Sequence, residues 1–132
     1  MRGLNRYCVP GLYDFIDELE GEGRCMVIND QDVVGALSFL FNFYESHCDG
    51  DWEHQNGVKI ETLDNPGWYI VVDLNDTSLY GRPKRNRPTA RTELDWVHYV
   101  VESERFTGSG GTKNLLEIIQ GFQIWATTGE LP

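Results

Sequence analysis

The apolar positions of this chain change their period as it is read from the N-terminus. Leu12, Phe15, Ile16 and Leu19 recur at helical spacing behind Pro10, a residue suited to a first helical turn, and Gly21 and Gly23 close the segment. A short amphipathic helix is predicted there. Residues 24–28 read as a brief strand or a connector, after which Asp30 or Asp32 offers an N-cap for a second helix. In that helix Val33, Leu37, Leu40, Phe41 and Tyr44 form a stripe, and Ala36, Phe39 and Phe43 widen it almost around the cylinder. Such a helix is expected at the centre of the fold.

From Val58 onward the period falls to two. Val58, Ile60 and Thr62 share one face of a strand, and Trp68, Ile70, Val72 and Leu74 line up in the next. Asn65-Pro66-Gly67-Trp68 supplies the turn between them, with proline at the first central position of a type II turn and glycine at the second. A third strand is expected at residues 77–80, followed by a proline-broken basic loop holding Arg82, Pro83, Lys84, Arg85, Arg87, Pro88 and Arg91. Residues 96–101 read as a further strand buried on both faces. Gly108-Ser109-Gly110-Gly111 then breaks the chain as a flexible entry to a last helix, where Leu115, Ile118, Ile119, Phe122 and Trp125 recur at helical spacing until Gly129. Helices, then strands, then a helix imply an α+β domain, with a mainly antiparallel sheet of about four strands packed against two or three helices.

Composition narrows the class. At 132 residues, with 40% hydrophobic residues and four tryptophans, the chain is expected to fold as a single domain. Residues 1–32 would be an N-terminal extension carrying the short helix, and residues 33–127 the core. The longest mainly apolar run, residues 33–44, is too short for a bilayer, and no secretory signal is readable at the N-terminus; a cytoplasmic location is the expectation. Cys8, Cys25 and Cys48 are an odd number without CxxC spacing, which argues against a disulfide framework or a structural zinc site. A net charge of -10 disfavours direct binding to nucleic acid or anionic membrane and favours a basic partner.

Chemistry-bearing side chains crowd into residues 47–54: His47, Cys48, Asp49, Asp51, Glu53 and His54. Asp49, Asp51 and Glu53 alternate as at the start of a calcium loop, but the later glycine and distal glutamate of that motif are missing. Cys48, His47 and His54 match no ordinary zinc spacing, and His98 would have to be recruited from another strand. A nucleophilic thiolate at Cys48 is opposed by the neighbouring carboxylates, which raise a thiol pKa. The glycine run before Thr112 and Lys113 lacks the order of a P-loop, and no carboxylate pair is singled out for glycoside hydrolysis. No catalytic residue, cofactor or metal is assigned, and a small metal-dependent or thiol enzyme centred on residues 48–54 is the second-ranked reading.

Residues 48–54 (Cys-Asp-Gly-Asp-Trp-Glu-His), then Gly57, Ile60, Thr62, the run Leu63-Asp64-Asn65-Pro66-Gly67-Trp68 and Asp73-Leu74, resemble the signature of the immunity protein 53 family of bacterial polymorphic toxin systems. Phe106, Gly108, Gly110-Gly111 and Asn114-Leu115 are similar to that family's C-terminal part. The resemblance spans residues 34–125 and leaves residues 1–32 and the basic segment unexplained. It implies an antidote without enzyme activity that binds a cognate protein toxin, for which an acidic protein is suited if the toxin is a basic, nuclease-type domain. Asp49, Asp51, Trp52, Glu53, His54 and Asp64 are the expected partner-binding residues, with Trp52 and Trp68 as aromatic anchors.

Overall fold

A computed structural model describes residues 4–6 and 27–132, with side chains from residue 31 onward. The helix expected over residues 10–19 lies outside the described residues. The chain divides into two compact units, Met1–Leu37 and Ser38–Pro132. In the first, β1 (Leu4–Arg6) pairs antiparallel with β2 (Val27–Asn29), placing Leu4 opposite Asn29. Helix α1 (Asp30–His47) follows directly, and the division between the units falls within it.

The second unit holds a short helix α2 (Trp52–Gln55), strands β3 (Val58–Leu63), β4 (Gly67–Asp73), β5 (Arg85–Ala90), β6 (Trp96–Val101) and β7 (Arg105–Gly110), and helix α3 (Leu115–Thr128). The five strands form one antiparallel sheet in the order β3-β4-β7-β6-β5. Strand register sets the faces. Val72 stands opposite Phe106, which stands opposite Val101, and Ile70 and Tyr99 both stand opposite Gly108. Ile70, Val72, Val97, Tyr99, Val101 and Phe106 therefore share one face, and all are buried. Against that face α3 lays Ile118, Ile119, Phe122 and Trp125, also buried. Phe122 is the hub: its ring centroid lies 5.2 Å from that of Phe106 on the sheet, 5.3 Å from Phe43 and 5.7 Å from Phe39 on α1, and 6.3 Å from Trp125. The fold is α+β, with a wholly antiparallel five-stranded sheet.

Several local expectations are corrected, each for a tertiary reason. Residues 77–80 form no strand. Thr77 Oγ1 donates to the Leu74 carbonyl at 2.8 Å and accepts from the Leu79 amide at 3.1 Å, so its hydroxyl closes a turn that plants buried Leu79 in the core. The basic loop is in part β5, an edge strand; proline is tolerated there because one side of an edge ladder has no strand to pair with. Its arginines serve the fold. Arg82 donates to the Trp125 carbonyl at 2.9 Å, with its guanidinium carbon 5.0 Å from the Trp125 ring centroid, and so caps the C-terminus of α3 beside the left-handed Gly129. Arg87 donates to the Pro132 carbonyl at 2.9 Å.

Nor is the glycine run a flexible break. Gly108 and Gly110 are inner-face residues of β7, in the middle of the sheet. A Cβ on Gly108 would run into Ile118 of α3 and stand 3.2 Å from Ile70; one on Gly110 would stand 2.8 Å from the Trp96 carbonyl oxygen. Glycine is required here for close helix-to-sheet approach. Gly67 is likewise the first residue of β4, where a Cβ would strike the Gly110 carbonyl, and does not occupy the positive-φ position of a type II turn. Residues 96–101 alternate between buried and half-buried rather than being buried on both faces, because no described element covers the second face of the sheet.

The apolar stripe of α1 is also rotated from its expected position. Leu40 and Phe43 are buried, whereas Phe41 and Tyr44 are 61% and 41% exposed. Within the same helix an added methyl at Gly35 meets no atom of the described residues within 4 Å. Gly35→Ala is expected to raise stability by about 0.5–1 kcal/mol through helix propensity alone, seen as a higher midpoint in urea with an unchanged slope.

Candidate functional site: a braced acidic loop

The acidic signature occupies the loop between α1 and β3, and hydrogen bonds fix most of it in place. Asp49 Oδ1 accepts from the amides of Asp51 and Trp52, both at 2.9 Å. Glu53 reaches back, its two oxygens accepting from the Asp49 and Gly50 amides at 2.9 and 2.8 Å. The two carboxylates thus cap the first turn of α2 reciprocally, in the manner of a capping box. Gly50, at φ 99°, supplies the left-handed residue that lets the chain fold back between them. Both carboxyls are held below their ordinary range: Asp49 first by the Trp52 amide and then by that of Asp51, Glu53 first by its own amide and then by those of Asp49 and Gly50.

Trp52 anchors the loop from beneath. It is 5% exposed, its Nε1–H donates to the Asn75 carbonyl at 2.7 Å, and its ring lies 6.4 Å from Phe43, 6.1 Å from Tyr44 and 5.4 Å from His47. The Asn56 amide and side chain both donate to the Trp52 carbonyl, at 2.8 and 3.2 Å. Asp73 of β4 closes the end of the loop, accepting from the Gly57 amide at 2.9 Å while its own amide donates to the Gly57 carbonyl at 3.0 Å. Asp49, Gly50, Trp52, Glu53, Gly57 and Asp73 therefore spend their distinctive groups on the frame.

What the frame presents is a smaller set. Asp49, Asp51 and His54 are exposed, and Phe41 and Tyr44 emerge from the adjoining end of α1. Beside them Gln55, Asn56, Asn75, Asp76, Thr77 and Tyr80 line an open polar hollow of about 460 Å³. Asp64 is exposed too, but the structure does not bring it to the loop. It lies in the turn beyond the far end of β3, seven steps from Gly57 and so about 24 Å away at about 3.4 Å per residue. Phe41, Tyr44 and the hollow were not anticipated from the sequence; the excess of apolar residues around α1, more than one core stripe needs, was the signal available.

Cys48 Sγ donates to the Tyr44 carbonyl at 3.2 Å, and His47 Nδ1 lies 2.7 Å from the Phe43 carbonyl oxygen, so both groups engage the last carbonyls of α1. Among the described residues no three His, Cys, Asp or Glu side chains converge into a group that would hold a metal ion.

A second polar cluster lies at the start of α3. Arg91 bridges Asp95 at 2.8 Å and Glu117 at 2.7 Å, while Asn114 Nδ2 donates to both carboxylates at 3.0 Å. The guanidinium occupies the space between the acids, so the cluster ties the β5–β6 connection to α3 and leaves no vacant acidic centre. Arg91, then Asn114, hold the Asp95 carboxyl below its ordinary range. Asp49, Glu53 and Asp95 thus all have depressed folded-state pKa values. Their stabilisation is present above the ordinary carboxylate range, about pH 4–5, and is lost as pH falls through the depressed values, because the unfolded chain binds protons first. Thermal melts from about pH 7 to pH 3 should show this acid limb, and an Asp49→Asn/Asp95→Asn variant should start lower at neutral pH with a shallower limb. An acid limb of undiminished steepness in that variant would contradict the assignment.

The structure is thus a small α+β protein whose acidic signature braces the loop after α1. The chain belongs to the family described as immunity protein 53, whose model matches residues 37–127. Comparison with curated proteins and with solved structures gave no match. Among the described residues no helix is long and apolar enough to cross a membrane.

Proposed function

We propose that this protein neutralises its cognate toxin inside the producing cell by direct binding, without enzyme activity of its own, and that the braced loop after α1 is the centre of the contact. The observation that carries this reading is the division of labour within the signature. Asp49, Trp52 and Glu53 fix the loop, so that Asp51 and His54 are offered to a partner from a preorganised backbone. Phe41 and Tyr44 beside it provide aromatic surface to anchor a complex, and a chain with net charge -10 attracts a basic, nuclease-type toxin domain. The hollow next to the loop, walled by Asp76 and side-chain amides, has the polarity to receive a lysine or arginine of the partner.

Charge reversal tests it against the cognate toxin. Asp51→Lys is expected to weaken toxin binding about tenfold, mainly through slower association at low salt, and Phe41→Ala to speed dissociation. Asp64→Lys, at the other end of β3, is expected to change affinity less than about threefold. Full protection and unchanged affinity in an Asp51→Lys/Phe41→Ala variant that still melts cooperatively would sink the proposed contact.

A further inference from the structure

The two edges of the sheet are finished differently. At β5 the pairing with β6 runs unbroken past Pro88, which has no N–H to offer on the outer side, and Arg87 is drawn to the Pro132 carbonyl. At β3 there is no proline, the four central residues 59–62 are exposed, and Ile60 is 43% exposed. Among the described residues nothing pairs with its outer side. A regular edge without proline is a template for another strand of complementary charge.

Register determines what that edge offers. The Asp73 amide donates to the Gly57 carbonyl, and Gly57 falls opposite Asp73 when the β3–β4 pairing is continued by one step. In an antiparallel ladder the bonded pairs alternate, so Gly57, Lys59, Glu61 and Leu63 point their backbone groups toward β4. Val58, Ile60 and Thr62 point theirs outward. We propose that the occupant of this edge is a second copy of the chain, its β3 antiparallel to the first about a two-fold axis through Ile60. The two five-stranded sheets then join into one.

The choice of occupant rests on self-complementarity. With the axis at Ile60, the outward groups of Val58 bond those of Thr62 in the second copy, and Ile60 bonds Ile60, giving about six inter-strand hydrogen bonds. Lys59 of each copy stands opposite Glu61 of the other in a non-bonded pair, the position where side chains approach most closely. Moving the axis to residue 59 sets lysine against lysine, and moving it to residue 61 sets glutamate against glutamate. The register that keeps most hydrogen bonds is also the one that pairs opposite charges. It further sets Asn56 opposite Asp64 of the second copy, so the pairing would bring together an acidic loop and a hairpin turn that lie about 27 Å apart in one chain. This assembly does not depend on the toxin-binding reading.

Sedimentation equilibrium of the full chain in about 0.15 M salt, where long-range repulsion between two acidic copies is screened, is expected to show a reversible species of twice the 15.1 kDa chain mass. Lys59→Glu opposes two pairs of glutamates and should raise the dimer dissociation constant about tenfold or more. The swap Lys59→Glu/Glu61→Lys should restore it to within about threefold. Ile60→Pro, which removes the central outward amide, should leave a monomer; the two charge variants, altered only on exposed side chains, keep the test valid if that variant does not fold. A wild-type chain that stays monomeric from about 1 µM to 1 mM overturns the proposal, and if Ile60→Pro then also loses toxin binding the edge belongs to a strand of the toxin. A dimer whose constant is indifferent to Lys59→Glu and to the swap overturns it equally.

Discussion

Phe122→Ala is expected to remove about 3–5 kcal/mol of stability, the cost of truncating a fully buried aromatic residue in a core that relaxes only in part. The position carries more than average weight because its ring is shared. It meets Phe106 of β7, Phe39 and Phe43 of α1 and Trp125 of its own helix, so one truncation loosens sheet and both helices together. Against a total of roughly 5–15 kcal/mol for a domain of ordinary stability, a loss of this size moves a large share of the chain toward the unfolded state near body temperature. Equilibrium unfolding in urea should show a lower midpoint with little change in slope. A midpoint shift corresponding to less than about 1 kcal/mol would mean that the aromatic cluster is not the hub described above.

Gly121→Ala is expected to destabilise by about 2 kcal/mol, although helix propensity alone favours alanine by about 1 kcal/mol. The sign is set by Tyr99. A methyl at residue 121 would collide with the Tyr99 ring and hydroxyl, and the ring has little freedom to give: Tyr99 is 2% exposed, and its hydroxyl donates to the Glu117 carbonyl at 3.0 Å. Burial, with Glu117 nearby, also holds the phenol well above its ordinary pKa, so ionisation gives no relief at neutral pH. In a double-mutant cycle, Tyr99→Leu should make Gly121→Ala markedly less costly, with a coupling of about 1 kcal/mol or more. Strict additivity would place the strain elsewhere. The contrast with Gly35→Ala, expected to stabilise, separates conformational propensity from packing within helices of one chain.

The parts of the fold that were legible in the sequence are those where burial leaves a periodic trace. Ile70, Val72 and Leu74 alternate and are fully buried, and Ile118, Ile119, Phe122 and Trp125 mark the inner face of α3 as their spacing predicts. The edge strand β5 leaves no such trace, since Arg85, Asn86, Arg87 and Pro88 have little apolar surface to hide. The run from Gly108 to Gly111 suggests a break because glycine stands out first for its conformational freedom; Gly108 and Gly110 are there for what α3 and the Trp96 carbonyl leave no room for. The stripe of α1 was misplaced because a helix with apolar residues most of the way round does not reveal which arc its neighbours will cover, and Phe41 and Tyr44 were counted into the wrong arc.

At the site, the position of the loop was legible and the roles within it were not. Asp49 and Glu53 resemble a charged patch when counted as acids, yet an acid followed by glutamate at the start of a helical turn is also the pattern of reciprocal capping, and the geometry is of that second kind. Asp64 was grouped with them by nearness along the chain, which a six-residue strand converts into distance in space.

The brace around Gly50 has an evolutionary reading. Because Asp49 and Glu53 bond only to backbone amides, the shape of the loop does not depend on which side chains stand at positions 51, 54 and 55. On the proposed contact, those positions are free to be rewritten as the toxin changes, while the scaffold that displays them stays the same. A lineage engaged in an arms race could retune its recognition one surface residue at a time without passing through an unfolded ancestor.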